Sequence, residues 1–176
     1  MTAGITLPTG VHIPAIAKRF GVKGADAAAL LQQWGLRIPD LPNRFTHWEA
    51  HEPFGSGRCL RQGSTEFLIE VQAGKTPDLQ PGESLPNAWT LVRTDQSLVL
   101  DASWPRALAH ICSFNFDRLH EEPDLVVMTL MAGIGVTVIR EPLPATHSSG
   151  IALRLWCDAG YSTYLQECLR SIGESR

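Results

Sequence analysis

The longest apolar segment of the chain is Leu125–Arg140 (LVVMTLMAGIGVTVIR), whose single charge is its last residue. A membrane helix needs about 20 apolar residues, and this segment is shorter and is interrupted by Gly133 and Gly135. It is also rich in β-branched valine and isoleucine, which favour extended backbone. The pattern predicts two buried strands with a bend at the glycines.

Three segments have a helical period. The apolar residues of Ala25–Trp34 and of Ala159–Ile172 recur every three or four positions, so each segment presents one apolar face. Asp158 is suited to cap the start of the second helix and Gly173 its end. Trp104–Cys112 predicts a third, shorter helix.

Strand patterns occupy much of the remaining sequence. The predicted strands are Cys59–Arg61, Glu66–Val71, Trp89–Arg93, Ser97–Ala102 and Ile151–Cys157. We expect the first two to form a hairpin, and the next two to flank a turn at Asp95–Gln96. Residues 44–58 are aromatic and rich in histidine and predict a loop.

Composition divides the chain into four parts. Residues 1–20 are predicted to form an irregular lead-in with a short turn at Ile16–Phe20. Residues 21–73 are predicted to form a first half-domain. Three prolines and two glycines in 74–87 predict a linker, and 88–176 form the second half-domain.

The two halves are expected to form one compact α+β unit. The turn into a helix at Gly24–Leu31 is similar to that at Ser103–His110, which hints at a duplicated β-α-β-β unit. We therefore predict two related β-α-β-β-type halves, each an antiparallel sheet covered by helices.

Charge and cysteine content narrow the functional classes. The net charge of -3 is spread without long single-sign runs, so nothing indicates a surface that binds a phosphate backbone, and nucleic acid is an unexpected partner. No apolar segment precedes a cleavage site near the N-terminus, so we expect a cytoplasmic protein that does not enter a membrane. The four cysteines form no C-x-x-C pair and predict free thiols.

His47, Glu49 and His51 are the candidate metal ligands. On a strand, alternate residues share a face and would present all three together. The spacing differs from the helical H-E-x-x-H of zinc proteases, and the surrounding sequence is polar. We therefore expect solvated side chains here, and metal-dependent hydrolysis is the weaker alternative.

Other motifs lack the context that their chemistry requires. Gly133-x-Gly135 has no third glycine or following helix to hold a pyrophosphate. Gly74–Lys75 lacks the strand-loop-helix setting of a phosphate loop. Ser148 and Ser149 are not in a G-x-S-x-G elbow. We assign no catalytic or cofactor-binding residue.

Segments from both halves, in order along the chain, carry a family resemblance. They are Gly24–Leu31, Leu36-x-x-Pro39-x-x-Pro42-Asn43-Arg44, Gly63-x-x-Glu66-Phe67-Leu68, Thr94–Ser97, Ala107–Cys112, Phe116–Asp117, Met128–Ala132 and Tyr164–Leu165. Across residues 20–172 the chain resembles the gamma subunit of heterotetrameric sarcosine oxidase, a family related to the folate-binding domain of the glycine cleavage T protein. Ser103-Trp104-Pro105 replaces the usual Gly-Pro, and 46–58 are expected to be an insertion.

The resemblance implies a non-catalytic subunit of a flavoenzyme that oxidises sarcosine or a related N-methyl amino acid. In such complexes, hydride passes from the N-methyl group to flavin, and the resulting imine yields formaldehyde or methylene-tetrahydrofolate. FAD, FMN, NAD and tetrahydrofolate are expected in larger alpha and beta flavoprotein subunits, and zinc in a small delta subunit. The alternative is a stand-alone folate-binding protein similar to an aminomethyltransferase.

Overall fold

Ten strands and four α-helices make up the regular structure of the residues that the computed structural model describes, which are 6–14, 18–49, 51, 54–71, 85–141 and 151–174. In chain order the elements are β1 (Val11–His12), β2 (Lys18–Lys23), α1 (Ala27–Gln33), β3 (Arg44–Trp48), β4 (Gly57–Arg61), β5 (Glu66–Val71), β6 (Trp89–Val92), β7 (Gln96–Leu100), α2 (Trp104–Ala107), α3 (Arg118–Glu121), β8 (Val127–Met131), β9 (Ile134–Glu141), β10 (Ala152–Cys157) and α4 (Ser162–Glu174). Short 3-10 helices cover Leu108–His110 and Ala159–Tyr161.

The described residues between 18 and 94 form one compact unit. Its antiparallel sheet has the strand order β3-β4-β5-β2-β6. Leu30 and Leu31 of α1 are buried with Phe20 of β2 and Phe67 of β5 in a single apolar cluster. Helix α1 therefore covers one face of this sheet, as the apolar stripe of the sequence predicts.

The other unit combines residues 6–14 with the described residues from 95 onward. Its antiparallel sheet has the order β1-β7-β10-β9-β8. Leu165 and Leu169 of α4 and Trp104 of α2 are fully buried in the apolar cluster on one face of this sheet. Tyr161 and Tyr164 lie at apolar-period positions of the predicted helix Ala159–Ile172, and in the structure both are about half exposed.

Both sheets have the same topology. In each, one strand is followed by helical structure and then by three consecutive antiparallel strands, and the first strand pairs with the last of these three (β2 with β5, β7 with β10). Each sheet then gains one further strand, β6 or β1. The predicted α+β class with two related antiparallel halves is confirmed, and each repeat is β-α-β-β-β.

The unit boundaries differ from the predicted ones. The strands predicted on either side of a turn at Asp95–Gln96 belong to different sheets, because β6 pairs with β2 whereas β7 pairs with β1 and β10. The irregular lead-in is likewise interrupted by β1 and by the start of β2, so no turn covers Lys18–Phe20. The described residues divide into two compact units, and after residues 18–94 the chain passes from one unit to the other between Thr94 and Asp95. Most of the predicted linker, 74–87, lies outside the described residues.

Two further differences concern local structure. Residues 44–48, predicted as part of a loop, form β3, and each residue of β3 has a partner in β4. The helix predicted at Trp104–Cys112 ends earlier, because Ile111 has a φ of -129°, outside the helical range. Among the described residues, no helix is long and apolar enough to cross a bilayer.

Candidate functional site

The three candidate metal ligands do not converge. His47 is exposed on β3 opposite Arg58, and Glu49 is exposed just beyond the strand. The Nε2 atom of His51 lies 3.0 Å from the backbone oxygen of Gly35. Across the described ranges, no group of three His, Cys, Asp or Glu side chains is placed to hold a metal ion.

His51 instead belongs to an aromatic cluster. Its ring centroid is 5.7 Å from that of Phe54, which is itself about 6 Å from the rings of Phe20 and Trp34. Phe54 is almost completely buried. The Nε2–H group of His51 can satisfy the Gly35 carbonyl just beyond the end of α1, where backbone oxygens lack partners within the helix. Phe54 therefore belongs to the apolar core of this unit, and the ring of His51 packs on it.

A charged cluster lies on β5 and its two neighbouring strands. Glu70 is 3% exposed. One of its carboxylate oxygens accepts a hydrogen bond of 2.7 Å from Nε of Arg19, and the other lies 3.5 Å from Nε of Arg58. These three residues are far apart in sequence, so no local motif brings them together. The available signal was a glutamate at an apolar position of the strand EFLIEV.

The second sheet has a comparable pair. Arg154 of β10 donates from Nε and from a terminal nitrogen to the two carboxylate oxygens of Glu141, at 2.9 and 3.0 Å. All six residues of β10 are buried, Arg154 included. Two-point pairing of this kind fixes the orientation of a guanidinium group. Both charged clusters therefore have structural partners within their own sheets.

Two adjoining depressions lie near the α2–α3 connection and share Pro105, Arg106 and Asp117 in their lining. Their volumes are about 370 and 440 Å³, and His120 lines the larger one. Arg106, Asp117 and His120 are all exposed. Catalytic acids and bases are tuned by desolvation and close charge partners, and an exposed rim does not provide that desolvation.

The cysteines are free, as predicted, and three of them are buried. Burial raises the pKa of Cys59 to about 12. Burial, followed by the negative charges of Asp95 and Asp158, raises the pKa of Cys157 to about 11. Since the thiolate is the reactive form, these two thiols are unsuited to nucleophilic chemistry at neutral pH. Gly74–Lys75 and Ser148–Ser149 lie outside the described residues.

The exposed apolar side chains concentrate on two strands at sheet edges. On β6 they are Trp89, Leu91 and Val92, and on β8 they are Met128 and Leu130. Each strand ends its sheet and has one neighbouring strand among the described elements. Exposed apolar edge strands are typical sites of association with another chain.

No protein-family model matches the sequence, and no curated protein matches it. A structural match covers 94% of this chain and 83% of a chain in the heterotetrameric sarcosine oxidase from Corynebacterium sp. U-96 in complex with pyrrole 2-carboxylate, with a TM-score of 0.68 and 16% identity. The chain shares its fold with that sarcosine oxidase chain. The predicted resemblance is confirmed at the level of fold.

The same fold occurs in the glycine cleavage system aminomethyltransferase T from Bartonella henselae. That match covers 93% of this chain and has a TM-score of 0.63 with 14% identity. It covers 45% of the aminomethyltransferase, so the chain spans less than half the length of that enzyme. The expected relation to the aminomethyltransferase fold is therefore also confirmed.

Proposed function

We propose that this chain is a gamma-type, non-catalytic small subunit of a sarcosine oxidase-like flavoenzyme complex, and that it acts in assembly and stabilisation. The complex would oxidatively demethylate sarcosine or a related N-methyl amino acid in the cytoplasm. Its partners would be larger alpha and beta flavoprotein subunits and a small zinc-binding delta subunit. FAD, FMN, NAD, tetrahydrofolate and zinc would be held by those partners.

The observation that carries the proposal is the extent of the sarcosine oxidase match. It covers most of both chains, so the two chains are of similar length. The aminomethyltransferase, by contrast, has more than half of its length outside the match. A match over most of the length of a chain from a heterotetramer supports a subunit role.

The distribution of side chains supports the same proposal. Charged clusters on the sheets are paired, two cysteine thiols are held protonated by burial, and the candidate metal ligands are dispersed. Apolar exposure is instead concentrated on β6 and β8. This arrangement suits a protein that contributes surface to an assembly.

Co-expression tests the subunit role. The tagged chain is produced together with the products of the neighbouring genes, captured, and analysed for flavin absorbance, subunit stoichiometry and sarcosine oxidation. We expect a stoichiometric complex with flavoprotein subunits, whose activity or stability falls when the chain is omitted. A monomeric chain with no affinity for flavoproteins would contradict the proposal.

The aminomethyltransferase match favours a second candidate, a folate-binding protein that acts alone. This candidate predicts that the isolated chain binds tetrahydrofolate, because no other subunit would be required. Isothermal titration calorimetry of the purified chain with tetrahydrofolate separates the two functions. Saturable binding would favour the second candidate, and the absence of heat over a range of temperatures would exclude it.

A further inference from the structure

The outer edge of β8 has backbone groups that its hairpin does not use. The residues Ala132 and Gly133, between β8 and β9, have φ values of +50° and +82°, as in a two-residue type I′ turn. Met131 and Ile134 flank the turn and therefore form a hydrogen-bonded pair. Because such pairs alternate in an antiparallel ladder, the backbone N–H and C=O groups of Met128 and Leu130 point away from β9.

The side chains of the same two residues are exposed and apolar. Met128 is 51% and Leu130 63% exposed, whereas Val127 and Met131, on the opposite face, are buried in the core. No strand among the described elements lies beyond β8. Two alternate residues thus offer both unpaired backbone groups and apolar side chains, which is the combination that an added strand recognises.

Charge is distributed unevenly along this edge. Residues 118–124 (RLHEEPD), which lead into β8, carry three carboxylates against one arginine. The opposite end, at the turn, has no charged residue, and Tyr164 donates a hydrogen bond of 3.1 Å to the Ala132 carbonyl. Arg118 pairs with Glu122 at 2.7 Å, so the segment before the N-terminal end of β8 has a net negative charge, whereas the turn at the other end is aromatic and uncharged.

We propose that β8 docks an extended segment of a flavoprotein subunit as an additional antiparallel strand of the sheet. The segment has apolar residues at alternate positions, which pack on Met128 and Leu130. Because it is antiparallel, its C-terminal end lies beside residues 118–124 and carries lysine or arginine. This inference rests on the proposed function, since it assigns one surface of the subunit to one kind of partner.

Strand β6 is the other terminal strand with exposed apolar side chains, and it provides a matched control. Arg93 donates a hydrogen bond of 3.2 Å to the Arg19 carbonyl. From this pair the register places the backbone groups of Thr90 and Val92 on the outer side of β6. Its large apolar residues Trp89 and Leu91 use their backbone groups to pair with β2. On β6, therefore, the unpaired backbone groups and most of the apolar side chains belong to different residues.

The test compares Leu130→Pro with Val92→Pro in the co-expressed complex. Each proline removes one outward N–H group at an edge, a position where proline is tolerated because no ladder hydrogen bond is lost. Affinity for the flavoprotein subunits is measured by biolayer interferometry, and folding is checked by circular dichroism. We expect Leu130→Pro to weaken binding about tenfold or more, and Val92→Pro to leave it unchanged. Leu130→Lys retains the backbone N–H group but replaces the apolar side chain with a charged one, and it should weaken binding similarly. It therefore tests the proposal even if the proline variant does not fold.

The outcomes separate the two proposals. If the unmodified chain binds flavoproteins and both Leu130 variants bind equally well, the β8 assignment is overturned while the subunit role stands. Loss of binding in Val92→Pro alone would also overturn it, in favour of β6. If the unmodified chain binds no flavoprotein, the proposed function and the assignment fail together.

Discussion

Glu70 lies in the middle of an otherwise apolar strand and is nearly inaccessible to solvent. Its two guanidinium neighbours, Arg19 and Arg58, have side chains that are 12% and 19% exposed. Transfer of such charges from water is costly, and the opposite charge of Glu70 offsets the cost only while it is present. At the scale of single residues, Glu70 is the position where neutralisation should matter most.

We predict that Glu70→Gln lowers the free energy of unfolding by about 2–3 kcal/mol, because it removes a carboxylate that pairs with two largely buried guanidinium groups. Glu66→Gln, on the same strand, is the matched control. Its partner Lys23 is 42% exposed, so the expected change is below about 0.5 kcal/mol. Urea unfolding followed by circular dichroism measures both, and equal losses in the two variants would contradict the prediction.

The raised pKa values of Cys59 and Cys157 predict slow alkylation of the native protein. At pH 8 both thiols are protonated, whereas partly exposed Cys168 should react first with iodoacetamide. Peptide mass spectrometry measures each rate, with the urea-unfolded chain as the control in which all four cysteines react. Labelling of Cys59 as fast as Cys168 would be inconsistent with its burial.

The same pKa shifts give stability a pH dependence. The folded protein holds the Cys59 and Cys157 protons more tightly than the unfolded chain, whose thiols ionise near pH 9. Their contribution is complete below pH 9 and is lost as pH rises towards 11 to 12. Cys59→Ser and Cys157→Ser variants should show a smaller loss of stability across this interval.

At the scale of elements, the β8–β9 hairpin depends on a turn whose two residues, Ala132 and Gly133, both have a positive φ. Ala132 has a positive φ, which is unfavourable for a residue with a side chain. Both of its backbone groups are bonded outside the hairpin: its N–H donates to Ile111 O at 2.7 Å, and its C=O accepts from Tyr164. These contacts offset the conformational cost and attach the turn to α4 and to the segment after α2.

We predict that Gly133→Ala lowers the free energy of unfolding by about 1 kcal/mol, while Gly135→Ala has little effect. A Cβ atom meets no atom within 4 Å at either position, but only Gly133 has a positive φ. The difference in stability between the two variants therefore reports the backbone strain at residue 133, because neither added methyl group meets a neighbouring atom. Thermal unfolding of the two variants measures it, and equal melting temperatures would show that the turn does not need glycine.

At the scale of the whole molecule, two copies of one topology each recruit an extra strand to an edge. Strand β1 precedes the first repeat along the chain and completes the second sheet. Strand β6 follows the first repeat and completes the first sheet. After these additions, β6 and β8 are still terminal strands with exposed apolar residues, which is the basis of the proposed role in an assembly.

If β8 docks a segment with a basic end, charge reversal at Glu121 should weaken assembly. We predict that Glu121→Lys lowers affinity for the flavoprotein subunits about threefold at physiological salt and by more at low salt, because exposed charges are screened. Asp40→Lys makes the same charge change at an exposed position of the other unit and should have no effect. Binding of both variants is measured at two salt concentrations, and an equal loss in Asp40→Lys would show an effect of net charge rather than of the charge near β8.

The sequence predicted much of the fold because the relevant patterns are local. The apolar stripe of Ala27, Leu30 and Leu31 predicts the buried face of α1, and the glycines after Met131 predict the hairpin bend. The candidate metal site depended on a distant contact. His51 is close in sequence to His47, but its ring packs on Phe54, and its Nε2 atom lies 3.0 Å from the carbonyl of Gly35, sixteen residues away.

The α+β class, the duplicated helix-and-strand order and the buried face of α1 were determined by the sequence itself, since the period of the apolar residues shows which side of an element avoids water. Only the tertiary structure decided which sheet β1 and β6 join, which arginines neutralise Glu70, and which edges stay open. The physical reason is that backbone edges are chemically alike. A strand pairs with whichever edge the folded chain brings near it, and that proximity is set by residues far away in sequence.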